Sequence, residues 1–190
     1  MSHILPIILF IILSLSVSDN APAQTPDAAA KTQELAAALG KTKYKRQEKK
    51  NVVIELYIDI KNEAVVKKTT TEYSGNYVCE TGEYRVELHV SADGKVEGGG
   101  FDPLYENSNS DKPESRKFTF QNAKIESALL TATKVYENGA TKKFEAVFVN
   151  RTVLSGKNPN AIETRETKYG LGFIETNDMF TNRVFCEFKP

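Results

Sequence analysis

Apolar and polar residues alternate with a period of two through most of the sequence after residue 50, and this alternation limits the fold more than any other feature. The clearest run covers residues 84–90, where Tyr84, Val86, Leu88 and Val90 are separated by polar residues. Successive side chains of a β-strand point to opposite faces, so the run predicts a strand with one buried face. Residues 52–60 alternate in the same way and predict a second strand with one buried face.

Short turn signals separate these runs. Residues 92–94 (Ala-Asp-Gly) and 137–139 (Glu-Asn-Gly) are typical hairpin turns. Residues 61–63 predict another turn, after which residues 64–73 would return as a partner strand. Three successive glycines at residues 98–100 predict a bulge or a close approach between backbones.

The later part of the domain follows the same logic. Strands are predicted at residues 117–120 and 124–136, a loop at residues 155–161, and two strands separated by Gly170 and Gly172 before the last strand. With nine to eleven strands and no interleaved helices, residues 51–190 are expected to form an all-β antiparallel domain. The short connections favour a meander barrel, and a β-sandwich is the alternative.

Residues 24–50 differ in character from this domain. Thr25 and Pro26 are typical of a helix start, and Gly40 is typical of a helix end, so a short helix that docks loosely is expected between them. Residues 41–50 then carry six basic residues against one acidic residue. This segment is predicted to be a solvated linker, and the alternative is a tether to an anionic surface.

The N-terminal segment predicts export. An apolar run at residues 4–15 is followed by small and polar residues that end in Ala21-Pro22-Ala23. This arrangement is typical of a signal peptide, here residues 1–23, with a second cleavage possibility after Ser18. The run is shorter than the roughly 20 residues needed to span a bilayer. We therefore expect a secreted or periplasmic protein without a transmembrane segment after cleavage.

Two cysteines and a balanced charge limit the remaining possibilities. Cys79 and Cys186 are an even pair, which in an oxidising compartment predicts one disulfide. In a closed meander this bond would fasten the last strand near the beginning of the barrel. The chain has 25 basic and 25 acidic residues, so no overall charge attracts nucleic acid.

One stretch resembles a known family. Residues 74–77 (Ser-Gly-Asn-Tyr), the Thr81-Gly82 turn, an alternating strand, residues 92–98 and a long polar segment resemble the opening of avidin-like barrels, over residues 74–116. The chain has no tryptophan, and Tyr77 stands where those barrels have one. The resemblance therefore implies their architecture and does not imply biotin binding.

Catalytic signatures are scarce. After cleavage His89 is the single histidine, and it lies on the polar face of its strand, so neither a multi-histidine metal site nor a cofactor is expected. No phosphate-binding glycine loop or nucleophile motif occurs. A hydrolase would have to use a carboxylate pair such as Glu55 with Asp59, or Glu83 with Glu87.

The sequence therefore favours a non-catalytic binding module. Its predicted site is the irregular segment at residues 102–116, where Tyr105 and Arg116 are the candidate ligand-binding residues. The ligand could be a small apolar molecule, a glycan or a protein. An envelope-associated structural protein held by residues 41–50 is the alternative, and a carboxylate-dependent hydrolase is the least favoured. Asn150 begins a glycosylation sequon.

Overall fold

The structure is a computed structural model of the 190-residue chain, and it describes residues 26–49, 52–81, 84–102, 116–176 and 181–190. These residues form one α-helix, α1 (Pro26–Ala38), ten strands and a 3-10 helix at Thr70–Tyr73. The strands are β1 (Lys41–Lys49), β2 (Val52–Ala64), β3 (Gly75–Thr81), β4 (Tyr84–Val90), β5 (Val96–Phe101), β6 (Lys117–Glu126), β7 (Leu129–Tyr136), β8 (Thr141–Asn158), β9 (Ala161–Thr176) and β10 (Thr181–Lys189). The predicted signal peptide lies outside the described residues.

Eight strands, β3 to β10, close into an antiparallel barrel. Each strand pairs with the next one along the chain, and β10 returns to β3 with Phe188 opposite Tyr77. This confirms the predicted meander barrel, and the sandwich alternative is wrong. The fold is also the architecture that the avidin-like resemblance implies.

Aromatic rings pack the barrel interior. Phe118 contacts Phe120, Phe120 contacts Phe144, and Phe144 contacts Phe173, with ring centroids 5.3, 4.7 and 5.0 Å apart. At the other end Tyr77 packs on Phe148 and Phe188. Val86, Leu88 and Val90 are buried on the predicted inward face of β4. These mutual contacts show that the interior side chains pack against one another.

The glycine-rich strand β5 lies very close to the backbones of its two neighbouring strands. A Cβ atom on Gly98 or Gly100 would collide with the backbone of β4, and one on Gly99 would collide with the backbone of β6. Gly98 also has a φ of +135°, which side-chain-bearing residues rarely adopt. The predicted close approach between backbones is confirmed, and the register with β4 is continuous, without a bulge.

The disulfide closes the barrel. Cys79 on β3 and Cys186 on β10 are bonded, with their Cα atoms 4.0 Å apart. The register of β3 and β10 places them directly opposite each other. The predicted pairing is confirmed, and so is its placement between the first and last strands of the barrel.

Residues 41–73 depart from the prediction. The basic segment is not a linker in the structure, because Lys41–Lys49 forms strand β1 in full register with β2. Residues 61–63 do not turn, because β2 runs on to Ala64 and pairs with β8 on its other side. The polar side chains of Lys61 and Glu63 are exposed there, so an extended strand accommodates them. The predicted return strand is absent: residues 65–69 form neither helix nor strand, and the 3-10 helix follows at Thr70–Tyr73.

Strands β8 and β9 are also longer than predicted. The predicted loop at residues 155–161 is mostly strand, with a turn confined to residues 159 and 160. Gly170 and Gly172 lie inside β9 and do not interrupt it. The side chain of Leu39 lies 2.6 Å from where a Cβ of Gly172 would stand, and the ring of Phe185 covers Gly170 in the same way. These glycines therefore make room for packing on the strand.

The helix α1 joins the two parts of the structure and packs against β2, β7 and β8. Its buried stripe consists of Ala28, Thr32 and Ala36, spaced four residues apart. The Thr32 hydroxyl donates to the Ser127 carbonyl at 2.7 Å, and Arg183 Nε donates to the Ala38 carbonyl at 2.8 Å. The helix is therefore fixed to the barrel more firmly than the thin apolar stripe of its sequence predicts.

Loss of the disulfide should destabilise the barrel strongly. The two cysteines are 107 residues apart, and the chain-entropy model assigns about 4–5 kcal/mol to a cross-link over a loop of this length. We expect the double variant Cys79→Ala/Cys186→Ala to unfold at a much lower urea concentration, measured by circular dichroism. Reduction of the unchanged protein should shift the midpoint equally, and an unchanged midpoint in both cases would contradict this role.

Candidate functional site

The predicted site at residues 102–116 lies only partly within the described chain. Tyr105 lies outside the described residues. Arg116 precedes β6, and its carbonyl accepts a hydrogen bond from the Asp102 amide at 2.8 Å. Asp102 and Arg116, the two ends of the predicted site, are therefore hydrogen-bonded to each other. A binding role for Tyr105 and Arg116 stays a prediction.

Asp102, the first residue of the predicted site, belongs to a buried charged cluster. Lys134 is fully buried, with its ammonium 3.3 Å from Asp102 Oδ2 and bonded to the carboxylate of Glu175. Tyr136 donates to Asp102 at 2.8 Å, and Lys142 contacts Glu175 at 2.9 Å. The ammonium of Lys134 also stands over two phenylalanine rings, of Phe118 and Phe144, at 4.6 and 5.2 Å.

The charges of this cluster are paired with one another. Each carboxylate, of Asp102 and of Glu175, faces a cation, and Lys134 is held between the two. Lys134 and the buried Tyr136 lie on the same face of β7, because side chains alternate along a strand. This alternation is the one signal in the sequence that could have indicated the burial of Lys134. The arrangement suits a structural role inside the barrel.

Removal of Lys134 tests that role. In Lys134→Met, Asp102 and Glu175 lose their shared cation inside the barrel, and breaking a buried pair costs about 3–5 kcal/mol. The control Lys143→Met removes an exposed lysine on β8 that pairs with Glu145, a surface pair worth less than about 1 kcal/mol. Urea unfolding should separate the two variants clearly, and equal midpoints would contradict the structural role.

Of the two acidic pairs considered for hydrolysis, only Glu55 with Asp59 lies wholly within the described residues. Asp59 accepts a hydrogen bond from Thr42 at 2.6 Å, and this bond, together with Lys61, lowers the pKa of Asp59 below its ordinary value. Glu55 lies 3.6 Å from Arg46. A general acid needs a raised pKa, so Asp59 does not suit that role. The side chain of Glu83 lies outside the described part.

The other predicted site residues lie on the surface. His89 is exposed, as predicted, with Nδ1 2.9 Å from Asn76 Oδ1. Asn150 is exposed on β8, and its glycosylation stays a prediction. Within the described ranges, no cluster of three or more His, Cys, Asp or Glu side chains could hold a metal ion.

Part of the ten-stranded sheet extends beyond the barrel, and we call this part the projecting sheet. It consists of β1, β2, residues 149–158 of β8 and residues 161–168 of β9. Beyond Phe148, β8 has left β7 and takes β2 as its neighbour. Every residue of β1 and residues 162–168 of β9 are exposed, so this sheet offers both of its faces to solvent.

One face of the projecting sheet combines lysines with apolar side chains, and we call it the lysine–apolar face. The opposed pairs are Lys41 with Ile60, Lys43 with Ile58, Lys45 with Leu56, Gln47 with Ile54 and Lys49 with Val52. Directly opposed residues of an antiparallel pair point to the same side of a sheet. A row of lysines on the edge strand therefore runs beside an apolar row on β2.

The apolar row becomes more exposed along β2 towards the connection between β1 and β2. Ile58 and Ile60 are half-buried near the barrel, whereas Leu56, Ile54 and Val52 are 39%, 56% and 59% exposed. The prediction that residues 52–60 bury one face is therefore wrong for the outer half of the strand. A contiguous row of exposed large aliphatic side chains is typical of a surface that contacts another protein or a membrane.

Charge on this face is uncompensated. In the described chain, Lys41, Lys43, Lys45 and Lys49 have no ion-pair partner. On the opposite face the cation of β1, Arg46, is paired with Glu55. Positive charge is thus concentrated beside the apolar row, although the whole chain is neutral.

In comparisons with known proteins, no family model, no curated protein and no solved structure matches the chain. Among the described helices, none has the length and apolar character needed to cross a membrane.

Proposed function

We propose that this protein is an exported, non-catalytic binding protein that attaches to an anionic lipid surface through the lysine–apolar face. The observation that carries the proposal is the register of β1 and β2, which aligns four lysines with an aliphatic row whose outer members, Val52, Ile54 and Leu56, are exposed. The predicted signal peptide and the disulfide support export, because disulfides persist in oxidising compartments.

The chemistry of this face matches a lipid headgroup region. Aliphatic side chains gain free energy when they leave water for the acyl boundary, at about 25 cal/mol per Å² of buried area. Each lysine near an anionic membrane surface contributes about 1 kcal/mol. Neither contribution anchors a protein alone, so an adjacent lysine row and apolar row together account for stable attachment.

A second copy of the chain fits the face less well. Pairing β1 with another β1 would bring two lysine rows together, and lysines on an edge strand oppose such pairing. The outer apolar residues would also be left beside unpaired ammonium groups. A lipid surface supplies both the negative charge and the apolar phase.

The barrel serves as a rigid support in this proposal. The interior aromatic rings contact one another, and Lys134 is held by two carboxylates, which favours an exterior binding surface over an interior one. The helix α1 links the base of β1 to the barrel through Arg183 and Ala38. The barrel and α1 together would hold the paired strands β1 and β2 in a fixed orientation, extended from the barrel.

Vesicle flotation with the processed, oxidised protein tests the proposal. We expect binding to vesicles with about one-third phosphatidylglycerol, weakening with salt, and little binding to phosphatidylcholine alone. Lys43→Gln/Lys45→Gln/Lys49→Gln should lower affinity for anionic vesicles by about 10- to 100-fold, since each lysine contributes about 1 kcal/mol before screening. Ile54→Gln/Leu56→Gln should lower it by about tenfold or more.

A matched control removes the same charge elsewhere. Lys95, Lys117 and Lys124 are exposed on the barrel, and their triple change to glutamine should leave vesicle binding nearly unchanged. Equal losses in both triple variants would show that net charge alone drives binding. That result would overturn the proposal. So would equal binding to anionic and neutral vesicles, or self-association through β1 without vesicle binding.

A further inference from the structure

A pocket of about 190 Å³ lies at the base of the projecting sheet, separate from the exposed apolar row. It is lined by Arg151, Val153, Glu166, Lys168 and Phe185. In the register of the sheet, Arg151 on β8 stands between Asn62 on β2 and Lys168 on β9. Three nitrogen-bearing side chains therefore form a row across three strands.

Arg151 is the unusual member of this row. Its guanidinium stands 5.1 Å from the centre of the Phe185 ring, and burial lowers the pKa of Arg151. Its Nε is buried and has no hydrogen-bond partner in the described chain. Asn62, directly opposite, has a buried Nδ2 in the same condition.

Two neighbouring donors without acceptors are costly to bury. An unsatisfied buried donor costs about 1–3 kcal/mol, and more when it is charged. A ligand that brings acceptor oxygens would recover that free energy. The guanidinium group of arginine can donate two parallel hydrogen bonds to two oxygens of one carboxylate or phosphate. Hydrogen bonds to such charged acceptors are stronger than those to neutral acceptors.

The surroundings narrow the ligand further. Lys168 is already occupied, since Glu166 lies 3.2 Å and Glu187 3.5 Å from its ammonium. Glu166 also lines the pocket, so an anion with many charges would be repelled. Val153 and the Phe185 ring supply an apolar wall beside Arg151.

We infer that Arg151 and Asn62 form a binding site for one oxyanion group, phosphate or carboxylate, carried by a small molecule with an apolar portion. Arg151 binds the oxyanion through its fork, Asn62 Nδ2 donates a further hydrogen bond, and the apolar portion lies against Phe185 and Val153. Oxyanion binding at this site requires no membrane, so it can be tested independently of vesicle binding.

Arginine side-chain NMR of the full, oxidised protein tests the site directly. Inorganic phosphate and acetate are titrated separately at constant ionic strength, and the Nε–H signals of all arginines are followed. We expect the Arg151 signal to shift and saturate with at least one of the two anions, and this anion identifies the class. Arg165 is exposed on β9 and serves as the control in the same sample.

Two variants and one further probe complete the test. Arg151→Lys keeps the charge and removes the fork, and Asn62→Ala removes the neighbouring donor, so each should weaken the response at least severalfold. Dihexanoylphosphatidic acid below its micelle concentration should bind more tightly than phosphate, because its acyl chains add contacts with Phe185 and Val153, and equal affinity would overturn the apolar part of the inference. Arg151 shifts that stay linear and match those of Arg165 with both anions would overturn the inference.

Discussion

The hydrogen-bond ladders of strand β8 are the constraint on which both parts of this structure depend. Its residues 141–149 pair with β7 and β9 within the barrel, and residues 149–156 pair with β2 and carry the projecting sheet. One strand of 18 residues thus fixes the sheet to the barrel without a flexible linker. Because side chains alternate along a strand, a slip of one residue between β1 and β2 would move every lysine to the opposite face. The lysine–apolar face exists because the ladder fixes this register.

The two groups of lysines show how environment decides the role of a charge. Lys134 is removed from water, and two carboxylates and two aromatic rings compensate for its burial. The lysines of β1 stay in water and have no such partners among the described residues. A paired buried cation contributes to the uniqueness of the folded state, whereas an exposed unpaired cation is available to an outside anion. This difference is the reason that we propose the projecting sheet as a binding surface.

The sequence predicted the barrel because turn signals and alternation agree from β3 to β10, and the cysteine pair then located its closure. It failed at residues 52–60, because alternation reveals on which side a residue lies and not what covers that side. Residues 41–49 also alternate, with lysines at every second position up to Lys45, and this signal could have revealed β1. Gly170 and Gly172 were misread because their partners, Phe185 and Leu39, are distant in sequence. For the same reason no local pattern could pair Arg151 with Asn62.

Hydrogen–deuterium exchange of the oxidised protein with anionic vesicles tests the central claim most directly. Amides on the free edge of β1 should exchange quickly in solution, as they face no neighbouring strand in the described chain. With phosphatidylglycerol vesicles, the account predicts slower exchange in peptides covering residues 41–58 and unchanged exchange in peptides covering residues 84–101. Phosphatidylcholine vesicles should produce neither effect. Protection of the barrel strands, or no protection in residues 41–58 while the protein is bound, would contradict the account.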